Sequence, residues 1–383
     1  MGEEQSKAKK AVKITAISLA ALVGAFLFIV IVYVIYVAAQ YYRIEDGLSL
    51  EVENAREEQV AIGKDYTLVS YNLGFGAYSP EYSFFMDTGE MKSGEKVAGK
   101  YAKGMSREDV EKNVAGQAEF AKNAGADFYF FQEADEKADR SYKIDMPERM
   151  RGALPEYSSV YAENFHTANL IYPFNDPIGA TNAGIVTFSR YRIESAVRRS
   201  FPITTSFIDK LFDLDRCFSV QYLPVEGSDK YLALVNLHMS AYDEGGTIRA
   251  EQLKMLNAVL AEERAKGNYV VAGGDFNHCL IADQFESDEA ALAAFAGEQV
   301  VPDWVKNSVL HEAELAEGFK ISANKEKATC RGADIPYTAG VNYETVVDGF
   351  LYSDNVEVIA EETVGGSYEF SDHNPVKLTF RLK

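Results

Sequence analysis

Cysteine is scarce in this chain of 383 residues: only Cys217, Cys279 and Cys330 occur. An odd, sparse count excludes a disulfide framework and leaves one bridge or none. Positive charge is also short, with 38 Lys and Arg against 58 Asp and Glu, for a formal net charge of -20. The first 43 residues carry Lys7, Lys9, Lys10, Lys13 and Arg43 against Glu3 and Glu4, a local net charge of +3 that leaves -23 for the rest. So acidic a body repels phosphate backbones at long range. Basic clusters are small, such as Arg198-Arg199, so no run of Lys and Arg tracks a nucleic acid. Divalent cations, if bound, offset that repulsion locally. No internal repeat is evident. Hydrophobic residues are plentiful at 47%, with 12% aromatics, ample for a packed core. The length allows one large domain or two small ones.

One stretch lacks charge altogether. Residues 14–39, ITAISLAALVGAFLFIVIVYVIYVAA, would form a helix about 39 Å long, enough to cross a hydrocarbon core of about 30 Å with some tilt. A cleaved signal peptide has an apolar region of only about 7–15 residues. The stretch therefore reads as an uncleaved signal anchor rather than a buried core helix, with VAAQ at 37–40 as the cleavage alternative. Lysines precede it, whereas Glu45 and Asp46 follow. The positive-inside rule then puts the N-terminus in the cytoplasm and the large domain outside, in the extracytoplasmic space. Tyr33, Tyr36, Tyr41 and Tyr42 are expected to form an aromatic belt at the outer interface. The partition that follows is a basic tail (1–13), a transmembrane anchor (14–39), a stalk (40–63) and a folded domain (64–383).

Within that domain, strand-like and helix-like segments alternate. Strands are expected at YTLVSYN (66–72), DFYFFQE (127–133), GIVTFS (184–189), CFSVQYL (217–223), YLALVNLH (231–238) and YVVAGGDFN (269–277). TVVDGFLYS (345–353), NVEVIAEETV (355–364) and NPVKLTFRL (374–382) complete the set. Ser106 with Asp109 forms a capping-box-like start for a helix ending near Gly125. Thr247 is expected to cap a helix over 248–266, where Leu253, Leu256 and Leu260 recur at helical spacing. Many strands with few helices between them predict sheet packed on sheet with helices outside.

Polar residues recur where these strands end. VSYN ends at Asn72, YFFQE at Glu133 and LVNLH at His238; VAGGDFN delivers Asp275 and Asn277; TVVDGF carries Asp348 inside an apolar run; Asp372 and His373 precede the last strand. Each has a bland reading taken singly. Asn72 before Gly74 is a turn, Glu133 a loop charge, Asp275 and Asn277 an Asx turn, and His238 a satisfied edge histidine. Asp348 resists this, because a strand Asp between Val347 and Phe350 needs a partner when buried. Six repeats of one pattern argue that the strand ends converge in one cleft.

In this order the residues resemble the endonuclease/exonuclease/phosphatase superfamily, the DNase I-like fold. The resemblance runs through Asn72, Gln132-Glu133, His238, Gly274-Asp275-Phe276-Asn277, Asp348 and Ser371-Asp372-His373, and covers 66–382. It implies a four-layered α/β (α+β) sandwich of two mixed sheets flanked by helices, with the cleft at one end. It also implies a phosphoesterase. Glu133 is then the main metal ligand, with Asn72 and Asp372 helping, and hard oxygen ligands suit Mg²⁺ or Mn²⁺. His373 is the general base for an attacking water, oriented by Asp348. Asp275 holds the water, Asn277 bonds the phosphoryl oxygens, and His238 stabilises the pentacoordinate state or assists the leaving group. The sequence departs from the pattern in an aromatic-rich insertion over 74–105, in Gly349 where Tyr or His often follows the Asp, and in an extra imidazole, His278, read as a loop residue. Phe75, Tyr78, Tyr82, Phe84 and Phe85 of the insertion are expected to rim the cleft, most of them packed on the domain.

The reading that results is a monomeric, membrane-anchored phosphoesterase with a small or lipid head-group substrate favoured. An extracytoplasmic nuclease acting on DNA or RNA is the alternative. A non-enzymatic binding module on the same scaffold is disfavoured, because every matched position is filled.

Overall fold

The computed structural model describes residues 2–204, 206, 215–241 and 247–383. The strands of its two main sheets are β1 (Leu48–Leu50), β2 (Asp65–Asn72), β3 (Phe128–Asp135), β4 (Ser158–Leu170), β5 (Gly179–Ser189), β6 (Ser195–Ser200) and β7 (Cys217–Pro224). They continue with β8 (Tyr231–His238), β9 (Tyr269–Asp275), β10 (Phe319–Ser322), β11 (Asp348–Ser353), β12 (Val356–Thr363) and β13 (Val376–Leu382). The long helices are α1 (Gly2–Gln40), α2 (Arg107–Ala124), α3 (Met146–Ala153) and α4 (Thr247–Ala265).

Side chains on the central strands alternate between two cores. Leu68 of β2 and Phe128 and Phe130 of β3 face Leu232 and Leu234 of β8 across the space between the sheets. Their neighbours Val69, Tyr71, Tyr129 and Phe131 point outward onto Val110 and Val114 of α2 and Met150 of α3. On the other side, Ala233 and Val235 of β8 meet Leu256 and Leu260 of α4. Strands covered on both faces need no polar face, so they read in the sequence as near-continuous apolar runs. The result is the expected four layers.

One sheet runs in the order β1-β6-β7-β8-β9-β11-β10, the other β12-β13-β2-β3-β5-β4. In each, a single pair is parallel: β8 with β9, and β2 with β3. Parallel neighbours need a crossover, and α4 and α2 lie in those two connections. Ser106 caps α2 by accepting from the Asp109 N–H (3.1 Å), and left-handed Gly125 (φ +57°) ends it. Thr247 is already the first residue of α4; residue 246, ahead of it, lies outside the described residues.

Four strands were not foreseen: β1, β4, β6 and β10. β1 falls in the segment expected as a stalk, where it pairs antiparallel with β6. The Glu53 N–H then donates to the Ser159 carbonyl (2.9 Å), and Val60 is fully buried. That segment lies along the domain. Cys217, Cys279 and Cys330 are all free and buried. The 74–105 insertion holds a hairpin, Thr88–Glu90 with Lys96–Ala98, and buries Phe75, Tyr78 and Tyr82 edge-on against one another. α1 is long and apolar enough to cross a membrane. The tyrosines at its end and just beyond do not form a free belt: Tyr33 and Tyr41 pack on the domain, and the Tyr42 hydroxyl donates to Glu163 Oε1 (2.9 Å).

Candidate active site

The two parallel pairs end at the same place. Register sets Asn72 beside Gln132 at the end of one pair and His238 beside Asp275 at the end of the other. β11 runs antiparallel to β9 and starts there, with Asp348 opposite Asp275. The segment before β13 adds Asp372 and His373. All eight residues named from the sequence therefore come to one end of the sandwich.

Local backbone aims them. Glu133 lies where the register of β3 on β5 slips between Phe131 and Ala134, and it adopts a left-handed φ of +51°. A bulge of this kind re-aims a side chain at the cost of local strain. Asn277 is left-handed too, at +50°. Between them Gly274 is obligatory: at φ +145°, a Cβ would lie 2.0 Å from the Leu237 carbonyl oxygen. The Ser371 hydroxyl donates to the Asn72 carbonyl (2.7 Å) and accepts from the His373 N–H (3.2 Å), tying the terminal segment to β2.

Two groupings result. In the first, His373 Nδ1 lies 2.7 Å from Asp348 Oδ2, and its Nε2 lies 3.8 Å from Asp275 Oδ2. Asp275, Asp348 and His373 are all buried and close enough to surround one atom. In the second, Asn72 Nδ2 donates to Asp275 Oδ2 (3.0 Å) and to Glu133 Oε1 (3.5 Å). His238 Nε2 stands 3.4 Å from Asp275 and 4.0 Å from Glu133. The Asn72 Oδ1 accepts from the Gly74 N–H (3.0 Å), so this side chain bridges the acids rather than offering them an oxygen. Asn277 spends an amide hydrogen on the Met239 carbonyl (2.9 Å), and its N–H holds Asp275 Oδ1 (2.9 Å).

The electrostatics separate the two imidazoles. Burial opposes charge on His373, but Asp348 foremost outweighs it and holds its pKa well above the usual histidine value. His238 is pushed well below it, by burial first and then by Arg216 and His373. Burial pushes Asp275 up to about 7, with Asp348 adding to the rise and His373 opposing it. Burial likewise pushes Asp372 up to about 6, with His373 opposing and Glu133 adding. Among the described residues no Lys or Arg makes an ion pair with Glu133, Asp275 or Asp372. Acids gathered in a cleft without a directly paired Lys or Arg suit a hard cation. Glu133 and Asp372 both line the cleft beside Asp275 and His373.

The cleft is about 810 Å³ and is lined by Glu133, His238, Asp275, Asn277, Asp372 and His373. Asn72 and Asp348 are buried behind it. Its walls also carry residues that sequence reasoning missed: Arg140, Arg216, Arg331 and Trp304. Arg216 is buried, yet its Nε and Nη1 have no hydrogen-bond partner among the described residues. No motif surrounds these arginines in the sequence. Gln132 sits deeper and donates to Asn236 Oδ1 (2.8 Å), joining the two sheets beneath the site. His278 is buried, its ring bonded to the Phe276 carbonyl, and does not line the cleft.

Two packed mixed sheets with flanking helices define the DNase I-like fold class. A model of the Endonuclease/Exonuclease/phosphatase family matches residues 69–373, and the chain belongs to that family. Phosphoester cleavage is the class of chemistry this membership supports. Among solved structures, an endonuclease/exonuclease/phosphatase from Beutenbergia cavernae DSM 12333 is similar at 14% identity and a TM-score of 0.54, over 83% of this chain and 72% of that one. A family protein from Leptotrichia buccalis C-1013-b aligns at 10% identity and 0.52, over 83% of this chain and 100% of its own. ANGEL2, a 2',3'-cyclic phosphatase crystallised with adenosine-2',3'-vanadate, aligns at 15% identity and 0.51, over 88% and 99%. At these identities the likeness is one of fold. No curated protein sequence matches the chain.

Proposed function

We propose that the chain is a membrane-anchored phosphoesterase dependent on Mg²⁺ or Mn²⁺, a monomer whose catalytic domain (64–383) lies outside the cytoplasm. The observation that carries the reading is the His373–Asp348 pair facing Asp275, with Glu133 and Asp372 lining the same cleft. Glu133 and Asp372 would hold the cation, with Asn72 keeping Glu133 and Asp275 in place. When bound, the cation supplies charge to a phosphoryl oxygen.

The chain's own groups do the rest. Asp275 positions a water, and His373 Nε2 takes its proton as the water oxygen bonds to phosphorus. Asp348 holds the Nδ1–H, fixing the tautomer. Against the opposing effect of burial, Asp348 and Asp275 hold the imidazole pKa well above the usual histidine value, so His373 must lose its own proton before it accepts one from water. Asn277 and the free donors of Arg216 meet the phosphoryl oxygens, and His238 assists the departing oxygen as the P–O bond breaks. No covalent phospho-enzyme is required. The -23 outside residues 1–43 supports a small or lipid head-group substrate over duplex DNA.

The test is hydrolysis of bis-p-nitrophenyl phosphate, a lipid phosphoester and duplex DNA by the full chain, with chelator and with added Mg²⁺. Loss on chelation and recovery with metal are expected. Full activity in chelator overturns the assignment, and cleavage of DNA alone moves it to a nuclease.

A further inference from the structure

The cleft has a second wall, far from the catalytic groups, and α1 builds it. Phe26, Ile29, Val30 and Tyr33 line the same cavity as His238 and Asp275. α1 does not reach there by chance contact. Val37 is buried among Ala102, Ala168, Leu170 and Ile178. The Tyr33 hydroxyl donates to the Asn169 carbonyl (3.3 Å) and accepts from the Ile171 N–H (3.1 Å). Beyond the helix, Arg43 and the Ile44 N–H are both held by Asp215. These contacts clamp the end of α1 and orient the domain on it.

The clamp also sets where the bilayer begins. Residues 14–32 precede it and are free of charge; at about 1.5 Å per residue they span roughly 28 Å, close to a hydrocarbon core of about 30 Å. Tyr33 then marks the boundary, and Phe26 lies about 10 Å below it. Beside this stretch the connection after β4 exposes Ile171 (42%), Tyr172 (62%) and Phe174 (79%), with Met86 (55%) of the insertion next to them. Such exposure of large apolar side chains at one edge marks a site of contact, and here it is continuous with the apolar face of the spanning helix.

We infer that Met86, Ile171, Tyr172 and Phe174 form a rim that dips into the leaflet holding α1, so that the cleft opens onto the bilayer and takes a lipid-borne phosphoester. The phosphate reaches Arg216 and the catalytic carboxylates while the apolar part stays against Phe26, Ile29 and Val30. The location of the rim rests on α1 as a membrane span; the substrate rests in addition on the phosphoesterase reading.

The experiment uses the full chain in phosphatidylcholine vesicles doped with sphingomyelin and phosphatidylinositol phosphates. The native cysteines are buried, so Phe174→Cys takes a polarity-sensitive fluorophore selectively. Asp229→Cys, in the connection at the far ends of β7 and β8, is the control. Blue-shifted emission quenched by lipid-borne nitroxide is expected at position 174 and not at 229. Water-like emission at both positions overturns the rim. The second arm compares hydrolysis of the vesicle lipids with that of bis-p-nitrophenyl phosphate in Tyr172→Ser/Phe174→Ser. The ratio of lipid to small-ester turnover is expected to fall about tenfold, the effect of removing roughly one large apolar contact. An unchanged ratio overturns the lipid substrate. If neither ester is cleaved, the phosphoesterase reading fails, and the fluorescence still decides the rim.

Discussion

Two buried carboxylates, one in each sheet, are treated in opposite ways. Asp135, at the end of β3, is gripped by Arg140: Nε donates to Oδ2 (3.0 Å) and Nη2 to Oδ1 (2.8 Å). The guanidinium lies 4.0 Å over the ring of Phe75. Asp275, at the end of β9, has two amide groups and two imidazoles around it and a second acid, Asp348, opposite. A buried charge with its own counter-ion is a finished piece of structure. One without is costly unless something outside the chain completes it. That difference locates the site independently of any motif.

The contrast breaks most visibly if Glu133 is dispensable. Glu133→Gln is expected to lower kcat/KM by about 10³-fold, the scale of a lost electrostatic contact in a transition state, with thermal unfolding unchanged. Next comes the dyad. Asp348→Asn and His373→Ala should each cost about 10²–10⁴-fold in kcat, and the double variant little more than the worse single one. Additive losses in that cycle show that the two residues act separately.

Arg140→Ala probes the paired side of the comparison. It strands Asp135 and should cost about 3–5 kcal/mol of stability by urea titration. Asp275→Asn should do the reverse in chelator-treated protein, raising stability by about 1 kcal/mol as an active-site charge is relieved. If both variants destabilise equally, the two acids are not in different settings.

The smallest effect belongs to an exposed pair. His311 Nδ1 lies 2.7 Å from Asp283, whose hydrogen bond raises the imidazole pKa above 6.5. The folded state therefore binds that proton more tightly than the unfolded chain. Its contribution is full below about pH 6.5 and is lost as pH rises through the raised value. Exposure and solvent screening keep it below about 1 kcal/mol. Asp283→Asn should flatten that part of the stability–pH curve.

How much of this was legible in the sequence follows from what each residue's neighbours are. The central strands were legible because burial on both faces leaves an apolar run, and each run stops where its polar residue enters the cleft. β4 was not, because SSVYAENFHTANL buries Ser158, Ser159, Asn164 and Thr167 along with its apolar residues. β1 was too short and too exposed to show a pattern. The arginines of the cleft wall come from three separate stretches, and only the closed fold makes them neighbours. The seat of α1 on β4 depends on contacts across more than 130 residues, which no local pattern encodes.

The order of the second sheet has a consequence for how the chain is made. β2 pairs with β13, Ser70 opposite Val376, so the first strand of the domain waits for the last. At about 5–20 residues per second of synthesis, the intervening residues take on the order of 15–60 s to emerge. Throughout that interval β2 offers an open edge, an invitation to pair with a neighbouring nascent chain. The general base enters only with the final segment, so a ribosome that stalls near residue 370 releases a product that can neither close its sheet nor cut anything.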